Sequence, residues 1–402
     1  MKILILSNKM PYPSNDGGAI ATLSLALSLA KNGQNISILA MNTPKHYSDC
    51  NKIPIDIKNL VHFNSVEVNT NIKTAKALKN LAFSKKPYIA ERFVSEDFKN
   101  KLIEILKQDN FDIVQLEGLY LCSYIDIIRQ NSDAKISLRA HNIEHEIWTR
   151  IAKNEKNILK KLYKQNLAKR IKKFKMQYLN KYDFLIPITE RDASTFNITG
   201  NKMPVYVAQT GVDKETYIIE NKNTEFPGFF HIGALDWQPN IEGLTWFINN
   251  VWSKYKETHR EAKFYVAGRN ASDSFIRYLK SNSVEFIGEV ENANDFINSK
   301  SVMIVPLLSG SGMRIKIIEG MAFGKTIITT SIGTEGILTT NNENILIANT
   351  PNEFYDCMCK ISETKELHNK ISENAVNFVH EHFNNQNIAN GLIAFYVKNT
   401  NQ

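Results

Sequence analysis

The residues best suited to chemistry lie in one short segment, residues 310–326, with the sequence GSGMRIKIIEGMAFGKT. An apolar run of strand length, residues 301–308, precedes it, so the chain passes from a strand through a glycine-rich turn into a helix. We expect the helix to begin near Gly312, with Arg314 and Lys316 in its first turns. Such a helix start presents unpaired amide N–H groups and a partial positive charge, which bind anions. The candidate residues are Gly310, Ser311 and Gly312 as amide donors, Arg314 and Lys316 as cations, and Glu319 at helical spacing. An ordinary glycine turn beside a solvated helix face is the alternative at this point.

The Gly-Lys-Thr at the end of the segment suggests a nucleoside-triphosphate-binding P-loop, but two features exclude it. Three residues separate Gly320 from Gly324, where the P-loop has four, and a P-loop follows a strand and opens a helix. Lys325 and Thr326 instead lead into the β-branched run 326–330, which predicts a buried strand. We therefore interpret Lys325 and Thr326 as the beginning of a strand.

A second glycine-containing loop follows the first predicted strand, residues 2–7. Asp16, Gly17 and Gly18 come directly before a predicted helix over residues 19–31. The Gly-x-Gly-x-x-Gly fingerprint of dinucleotide-binding loops is missing, and so is its acid about 20 residues further on. We expect the loop to contribute a second helix N-terminus to substrate binding.

His141 directly follows another predicted strand, residues 135–139. Its ordinary pKa, about 6.5, is compatible with a core residue and with a general base, so both roles are open from position alone. Glu144 and His145 begin the next predicted helix, where Glu144 caps the helix or binds substrate.

Strands and helices alternate almost from end to end. This order predicts an α/β protein with two doubly wound parallel sheets, that is, two Rossmann-like domains facing each other across a cleft. The expected strands are 2–7, 35–41, 113–117, 135–139, 184–188 and 205–208 in the first block and 229–233, 263–267, 284–287, 301–307, 325–330 and 345–348 in the second. Residues 43–110 interrupt the alternation and are interpreted as a helical insertion.

The domain boundary is expected near residue 212. We assign residues 1–212 to the first domain and residues 213–384 to the second, with the polar stretch 214–227 as linker. A helix over about residues 385–402 is expected to pack back on the first domain.

The net charge of +8 is unevenly distributed over the 402 residues. Residues 153–175 contain ten Lys or Arg and one acid, which predicts one long basic amphipathic helix. A solvated face, contact with an anionic membrane or acceptor, and nucleic-acid binding are the alternatives, and we expect no nucleic acid because no known binding module is present. Four irregularly spaced cysteines, together with the absence of a signal peptide or membrane-span pattern, favour the cytoplasm.

The motifs together resemble the retaining glycosyltransferases of the GT-B fold, family 4. The resemblance extends over nearly the whole chain and rests on the order of Asp16-Gly-Gly18, residues 139–144, Thr210-Gly-Val-Asp213, residues 230–240, Val266-Ala-Gly268, Glu285-Phe-Ile-Gly288 and residues 306–324. It implies transfer of a sugar from a nucleotide diphosphate sugar to a glycan or lipid-linked acceptor, without a metal or other cofactor. It also implies a role in cell-surface polysaccharide or lipopolysaccharide biosynthesis at the inner membrane face.

The resemblance implies that the domain of residues 1–212 binds the acceptor and that the domain of residues 213–384 binds the nucleotide sugar. It also implies residue roles. The nucleotide base would lie beside Gly288 and Val290, Glu319 would accept hydrogen bonds from the ribose hydroxyls, and Arg314 and Lys316 would neutralise the diphosphate. His141 would lie near the donor sugar. Because the leaving phosphate takes the acceptor's proton in this family, no protein nucleophile is required.

Two departures from the family pattern concern the donor site. Ser311 stands eight residues before Glu319, where many members have a second glutamate, and residues 234–240 contain no Arg or Lys where many members have both. We infer that Arg314 and Lys316 supply the missing positive charge from the other side, and that the sugar specificity differs. A nucleotide-sugar 2-epimerase of the same fold and a non-catalytic nucleotide-binding paralogue are the alternative functions.

Overall fold

The structure is a computed structural model that describes residues 1–153, 155–213, 217, 219, 224–309 and 312–400, apart from the side chain of Leu78. The chain divides into two compact units, one of residues Met1–Thr210 with Asn385–Gln402 and one of residues Gly211–Asn384. Each unit contains a sheet of six parallel strands covered by helices. The predicted fold class, α/β with two doubly wound parallel sheets, is confirmed.

The first unit is built on strands that pair in the order β3-β2-β1-β4-β5-β6. The strands are β1 (Lys2–Ser7), β2 (Asn35–Asn42), β3 (Val61–Glu67), β4 (Ile113–Glu117), β5 (Lys135–Ala140) and β6 (Phe184–Pro187). The helices are α1 (Gly17–Lys31), α2 (Ile55–Leu60), α3 (Thr74–Phe83), α4 (Tyr88–Glu91), α5 (Glu96–Gln108), α6 (Ile125–Asn131), α7 (Glu144–Lys153), α8 (Ile158–Tyr178) and α9 (Glu190–Ile198), with short 3-10 turns at Pro44–His46, Cys50–Lys52 and Leu119–Tyr124. Helix α17 (Asn385–Thr400) also belongs to this unit.

Three details of this unit differ from the sequence prediction. The predicted insertion 43–110 contains β3, an edge strand whose mixed polar sequence VHFNSVE lacks a continuous apolar run. Residues 205–208 form no strand and contribute one isolated bridge between Leu185 and Val205. The basic segment 153–175 is divided between α7 and α8, which begins after the cap residue Asn157. Asn154 lies outside the described residues.

The second unit repeats the same strand order, β12-β11-β10-β7-β8-β9. Its strands are β7 (Glu225–Ile232), β8 (Phe264–Ala267), β9 (Glu285–Gly288), β10 (Lys300–Val305), β11 (Thr326–Thr329) and β12 (Leu346–Ile347). Its helices are α10 (Gln238–Phe247), which continues through a π-helical turn (Ile248–Trp252) into α11 (Ser253–Thr258), then α12 (Asp273–Ser281), α13 (Ala293–Asn298), α14 (Ile315–Ala322), α15 (Pro351–Glu363) and α16 (Lys365–His382).

The start of this sheet lies earlier in the chain than expected. Strand β7 begins at Glu225, so the end of the predicted linker 214–227 is strand, and residues 214–216, 218 and 220–223 lie outside the described residues. Pro227 has no amide N–H to donate to a neighbouring strand. A position near the start of β7 tolerates this loss.

The strand order locates a candidate ligand position in each unit. Strand β1 pairs with both β2 and β4, and β7 pairs with both β8 and β10. The chain therefore leaves β1 toward one side of the sheet and β4 toward the other, and the same holds for β7 and β10. In open parallel sheets, ligands bind beyond the carboxyl ends of the strands at this reversal.

Tyr396 of α17 tests how the carboxyl-terminal helix stabilises the first unit. Its side chain is fully buried, and its hydroxyl bonds to Ser137 Oγ at 2.7 Å and Gln115 Oε1 at 2.9 Å. We expect Tyr396→Ala to cost about 3–5 kcal/mol of unfolding free energy, because it leaves a cavity and two polar groups without this partner. Thermal unfolding monitored by circular dichroism measures the effect. The matched control Val397→Ala alters an exposed side chain and should change little; equal effects of the two substitutions would contradict the assignment.

Candidate functional site

Glycine permits a close backbone approach at the carboxyl end of β7. A Cβ on Gly268, whose φ is +154°, would lie 1.8 Å from the Gly233 carbonyl oxygen. The Gly233 amide donates to Ala267 and the Leu235 amide to the Arg269 carbonyl, at 3.2 and 2.9 Å. The loop after β7 is therefore held firmly along the end of β8.

Lys316, in the first turn of α14, extends back to this loop. Its Nζ donates to Asn240 Oδ1 at 2.8 Å and contacts the Ile232 carbonyl oxygen at 3.5 Å. Burial and the charge of Arg314 lower the pKa of Lys316 to about 7, against an opposing effect of Glu319. The side chain therefore exchanges its proton near neutral pH, and a bound anion would favour the charged form.

Gly233 leaves the space that this ammonium occupies. A Cβ at Gly233 would lie 2.8 Å from Lys316 Nζ and 3.0 Å from Asn240 Nδ2. Residues 234–240 carry no Arg or Lys of their own, and the structure places the Lys316 ammonium next to their beginning. The inferred role of Lys316 on a diphosphate stays a prediction, and this position is compatible with it.

Glu319 lies one turn further along α14. Its Oε1 accepts a hydrogen bond from the hydroxyl of Tyr217 at 3.2 Å, and the Tyr217 ring packs edge-on against Phe323. Burial raises the pKa of Glu319, while Tyr217 and Lys316 partly oppose that effect. The Tyr217 hydroxyl fixes one carboxylate oxygen, and a carboxylate has further acceptor sites for the paired hydroxyls of a ribose.

Arg314 precedes α14 instead of lying in its first turn, since the helix begins at Ile315 and not near Gly312 as expected. The Arg314 side chain is only 4% exposed, and its Nη1 donates to the Gly312 carbonyl oxygen. Gly312 has a φ of +78°, a conformation that favours glycine. Arg314 thus braces the glycine turn, while Gly310 and Ser311 lie outside the described residues.

The other residues predicted for the nucleotide follow β9. Gly288 ends this strand with a φ of +86°, and its carbonyl accepts the Gly268 amide at 2.7 Å. Val290, two residues on, is half-buried. Because β9 is the edge strand beyond β8, Gly288 and Val290 lie on the β8 side of β7, and α14 follows β10 on the other side.

Lys325 has no part in this arrangement. It is buried, its Nζ contacts the Asn298 carbonyl oxygen at 3.3 Å, and Thr326 begins the fully buried strand β11. The prediction that Gly-Lys-Thr leads into a strand, and is no P-loop, is confirmed.

In the first unit, a buried carboxylate lies at the carboxyl end of β4. Glu117 accepts hydrogen bonds from His141 Nε2 at 2.6 Å and from Thr22 Oγ1 at 3.0 Å, and Arg139 Nη1 lies 3.5 Å away. Burial alone would raise the pKa of Glu117, but the charge of Arg139 and hydrogen bonds from His141 and Gln115 hold it at about 2. The carboxylate therefore stays ionised and fixes the imidazole of His141.

His141 is the predicted catalytic residue of this unit, and its side chain is 17% exposed. Its partner Glu117 was missed by the sequence analysis, and so was Arg139 as a buried charge. The available signal was a carboxylate that ends an apolar strand, IVQLE, at the same sheet edge as His141.

Asp16 caps the N-terminus of helix α1. Its Oδ1 accepts the amides of Gly18 and Ala19, both at 3.0 Å, it forms an ion pair with Lys9, and its Oδ2 lies 3.6 Å from His46 Nδ1. The Asp16 carboxylate therefore occupies the amide of Gly18, which was predicted to bind an anion from the substrate. Gly17 begins the helix.

Glu144 begins α7 and is half-buried. Burial raises its pKa to about 7, although backbone hydrogen bonds and the charge of Lys175 act in the opposite direction. Lys175 of α8 is buried and lies over the ring of Phe196, with its Nζ 4.3 Å from the ring centre. Glu144 is thus a carboxyl group that changes protonation near neutral pH.

A family model described as "Glycosyl transferases group 1" matches residues 227–364, which include most of β7, Gly233, Asn240 and α14. Residues 227–364 belong to the group 1 glycosyltransferases. This group 1 domain contains Lys316 and Glu319, and the prediction of a GT-B glycosyltransferase is confirmed at this level. Retention and membership of family 4 stay predictions.

Longer relatives and solved structures extend the similarity beyond the group 1 domain. The chain is 23% identical over 401 residues to an uncharacterized 44.6 kDa protein in the cps region of Klebsiella pneumoniae, covering 97% of this chain and 98% of the relative. It resembles sucrose-phosphate synthase from Thermosynechococcus elongatus with a TM-score of 0.71, 15% identity and 99% of both chains covered. It also resembles the Anabaena protein HepE in complex with UDP-glucose, with a TM-score of 0.66, 12% identity and 99% and 100% covered. At these identities the likeness shows the fold.

Two searches of the described residues concern metals and membranes. Within them, no three or more His, Cys, Asp or Glu side chains are grouped as metal ligands. Nor does any described helix combine the length and apolar character needed to cross a membrane. The metal-independent reaction stays a prediction.

Glu117 allows a test of the buried cluster in the first unit. Its pKa in the folded protein, about 2, is below its ordinary value of 4.5, so the ion contributes stability above about pH 4.5 that is lost as the pH falls toward 2. We expect Glu117→Gln to lower the unfolding free energy at pH 7 by about 3–5 kcal/mol, because Arg139 loses its buried counter-ion. Urea unfolding at pH 7 and near pH 3 should show the difference shrinking in acid. The control Glu104→Gln removes an exposed carboxylate; a pH-independent difference for Glu117→Gln would refute the assignment.

Proposed function

We propose that the chain is a retaining glycosyltransferase of family 4. It moves a sugar from a nucleoside diphosphate sugar to a glycan or lipid-linked acceptor in cell-surface polysaccharide biosynthesis, without a metal. The observation that carries the proposal is the Lys316 ammonium, which is held by Asn240 at the end of β7 within the group 1 domain. The relative in the Klebsiella pneumoniae cps region and the UDP-glucose complex of HepE support the acceptor class and the donor class.

The reaction requires charge stabilisation on the leaving diphosphate. The bond between the anomeric carbon and the phosphate oxygen breaks with its electron pair on the phosphate, and an acceptor hydroxyl bonds to that carbon on the same face. The hydroxyl proton passes to the leaving phosphate. Lys316 supplies a cation whose protonation responds to the arriving negative charge, and fixed cations at developing charge are usually a large catalytic contribution.

Other residues of the chain bind and orient the substrates. Glu319, with one oxygen held by Tyr217, accepts from the ribose hydroxyls. Arg314 holds the turn at Gly312 and adds positive potential from a position that is nearly closed to solvent. His141 of the first unit is oriented by Glu117 through Nε2, which leaves its other ring edge for a substrate.

The proposal extends to a membrane surface formed by α8 and the end of α3. The apolar residues of α8 are divided: Leu167, Ile171, Phe174 and Tyr178 are buried, whereas Ile158, Leu159, Leu162 and Tyr163 are 42–78% exposed. Phe83 at the end of α3 is 86% exposed. Exposed apolar side chains among lysines are the pattern by which helices bind anionic bilayers at the interface.

Arg170 organises the space between these two helices. Its Nη2 donates to the carbonyl oxygens of Asn80, Ser84 and Lys86 at 3.1, 2.5 and 2.7 Å, which fixes the turn after α3. A groove of about 490 Å³ is lined by Arg170, Lys85, Lys86, Lys173 and Phe174, among others. Cationic and apolar lining residues together suit an anionic lipid headgroup at the inner membrane face.

The nucleotide site is tested by two lysines of one segment. We expect UDP, GDP or ADP to stabilise the protein in a thermal-shift screen, and Lys316→Met to weaken the preferred nucleotide about 10-fold or more, because a charge-assisted hydrogen bond is lost. Lys325→Met is the matched control. Its dissociation constant for the same nucleotide, measured by calorimetry, should stay within about threefold of the wild-type value. Glu319→Gln should also weaken binding. If none of the three nucleotides binds, or Lys316→Met binds like the wild type, the proposal is wrong.

The membrane surface is tested by liposome flotation. The protein should float with vesicles containing anionic lipid at low salt and lose this binding with neutral vesicles or high salt. Replacing Leu159 and Leu162 together by Glu should reduce the bound fraction at least about tenfold, because both apolar contributions are lost. Ile198→Glu, at an 86% exposed site on α9, is the control. Equal flotation of the double variant and the control would contradict the proposed surface.

A further inference from the structure

A row of buried polar side chains lies on one face of the sheet in the first unit. Gln115 and Glu117 alternate along β4, and Ser137 and Arg139 alternate along β5, so each pair points to one face. The parallel register pairs Gln115 with Ser137 and Glu117 with Arg139, and all four residues are at most 3% exposed. Polar groups within apolar strands are unfavourable unless they are hydrogen-bonded, so their partners indicate what they do.

Tyr396 of the carboxyl-terminal helix α17 bonds to the first of these pairs. Its hydroxyl donates to Gln115 Oε1 at 2.9 Å, and because its one proton is used there, it accepts the bond of 2.7 Å from Ser137 Oγ. Burial raises the pKa of Tyr396, so the hydroxyl stays protonated and remains a donor. The ring also packs against Phe184 of β6, with the ring centres 5.7 Å apart, and this contact does not involve the hydroxyl.

Gln115 connects the tyrosine hydroxyl to the carboxylate of Glu117. Its Nε2 donates to Glu117 Oε1 at 2.5 Å. The opposite orientation of the amide would bring two acceptor oxygens together, so the carboxylate and the Tyr396 hydroxyl favour the same orientation. The hydroxyl therefore holds the amide in the position from which it donates to Glu117.

The last link is the hydrogen bond between Glu117 and His141. An ionised carboxylate only accepts, so His141 Nε2, which lies 2.6 Å from Glu117 Oε2, carries the proton. The neutral ring then has its lone pair at Nδ1. Thr22 and Arg139 contact the same carboxylate oxygen as His141, whereas Gln115 holds the other one. The orientation of the carboxylate plane, and with it that of the imidazole, therefore depends on the bond from Gln115.

We propose that Tyr396 and Gln115 are positioning residues for His141: the hydroxyl fixes the amide, the amide fixes the Glu117 carboxylate, and the carboxylate holds the imidazole with its proton on Nε2. The carboxyl-terminal helix thereby takes part in the site, and His141, 17% exposed, is the end of the chain that reaches solvent. The lone pair at Nδ1 accepts from a substrate hydroxyl and repels a phosphate oxygen. This last role rests on the proposed function, whereas the hydrogen-bonded chain exists without a ligand.

Three variants separate the tyrosine hydroxyl from the rest of the side chain. Tyr396→Phe removes the hydroxyl and keeps the ring that packs on Phe184. Gln115→Leu removes the amide that lies between the hydroxyl and the carboxylate, with a side chain of similar size. Tyr206→Phe is the matched control, because the Tyr206 hydroxyl also bonds to α17, at the Ile388 carbonyl oxygen 3.4 Å away.

The experiment follows the Nε2 proton of His141 by NMR of the ligand-free protein labelled with nitrogen-15 in histidine. The His141 signals are assigned with His141→Gln. We expect Tyr396→Phe and Gln115→Leu each to speed exchange of this proton with water about five- to tenfold, because the hydrogen bond to the carboxylate is weakened. Tyr206→Phe should leave the exchange rate unchanged. An unchanged rate in Tyr396→Phe, or an equal increase in Tyr206→Phe, would overturn the proposal.

A double variant distinguishes this chain of bonds from a general loosening of α17. Because Tyr396 acts through Gln115, adding Tyr396→Phe to Gln115→Leu should speed the exchange by less than about a further twofold. If the two effects multiplied, the hydroxyl would act on the helix independently of Gln115, and the proposal would be wrong.

A further measurement uses only the wild-type protein, in case the buried variants fail to fold. The nitrogen-15 shifts of neutral His141 should show a protonated Nε2 and an unprotonated Nδ1; a protonated Nδ1 would contradict the proposed positioning. Binding of UDP, GDP and ADP is measured separately by thermal shift. A protein that shows the expected spectra and binds none of the three refutes the proposed function and leaves the positioning of His141 in place.

Discussion

The arrangement at the end of β7 depends on one constraint, the need to hold a partly buried ammonium. Removing a charge from water is unfavourable unless polar groups replace the water. For Lys316 these groups come from three elements: Asn240 from α10, the Ile232 carbonyl from β7 and the carboxylate of Glu319 from α14. A Cβ at Gly233 would lie 2.8 Å from Lys316 Nζ, so a side chain there would push the ammonium out of this position. The proposed donor site follows from these requirements.

The first unit has to hold a buried negative charge, where the second unit holds a positive one. The Glu117 carboxylate is buried at the end of β4 and is surrounded by Arg139, His141, Gln115 and Thr22. Both clusters lie at the carboxyl end of a parallel sheet, at or next to the reversal in strand order. At this position the loops that follow neighbouring strands diverge. Polar groups on these loops meet beyond the carboxyl ends of the strands and not inside the sheet.

Much of the fold could be predicted from local patterns. Apolar runs located most of the strands, and the β-branched run after Lys325 correctly distinguished a buried strand from a P-loop. Strand β3 was missed because an edge strand with polar residues has no such run. The break between α7 and α8 was missed because lysine-rich sequence continues through it.

The candidate site was predictable where it follows one segment and not where it depends on distant contacts. Lys316 and Glu319 lie on one helix, so their spacing is visible in the sequence. Tyr217 is about one hundred residues from Glu319, and Tyr396 is 281 residues from Gln115, so only the folded chain brings these groups together. A glutamine inside an apolar strand gives no sign of its partner in the sequence.

The central claim is that the Lys316 ammonium binds a diphosphate, and calorimetry measures this through protons. At about pH 8 the phosphates of UDP are already ionised, whereas Lys316, with a pKa of about 7, is largely neutral. Titration of UDP in two buffers of different ionisation enthalpy should therefore show uptake of about one proton per nucleotide bound. Uptake should disappear in Lys316→Met. Tight binding of UDP to the wild-type protein with no proton uptake would contradict the account.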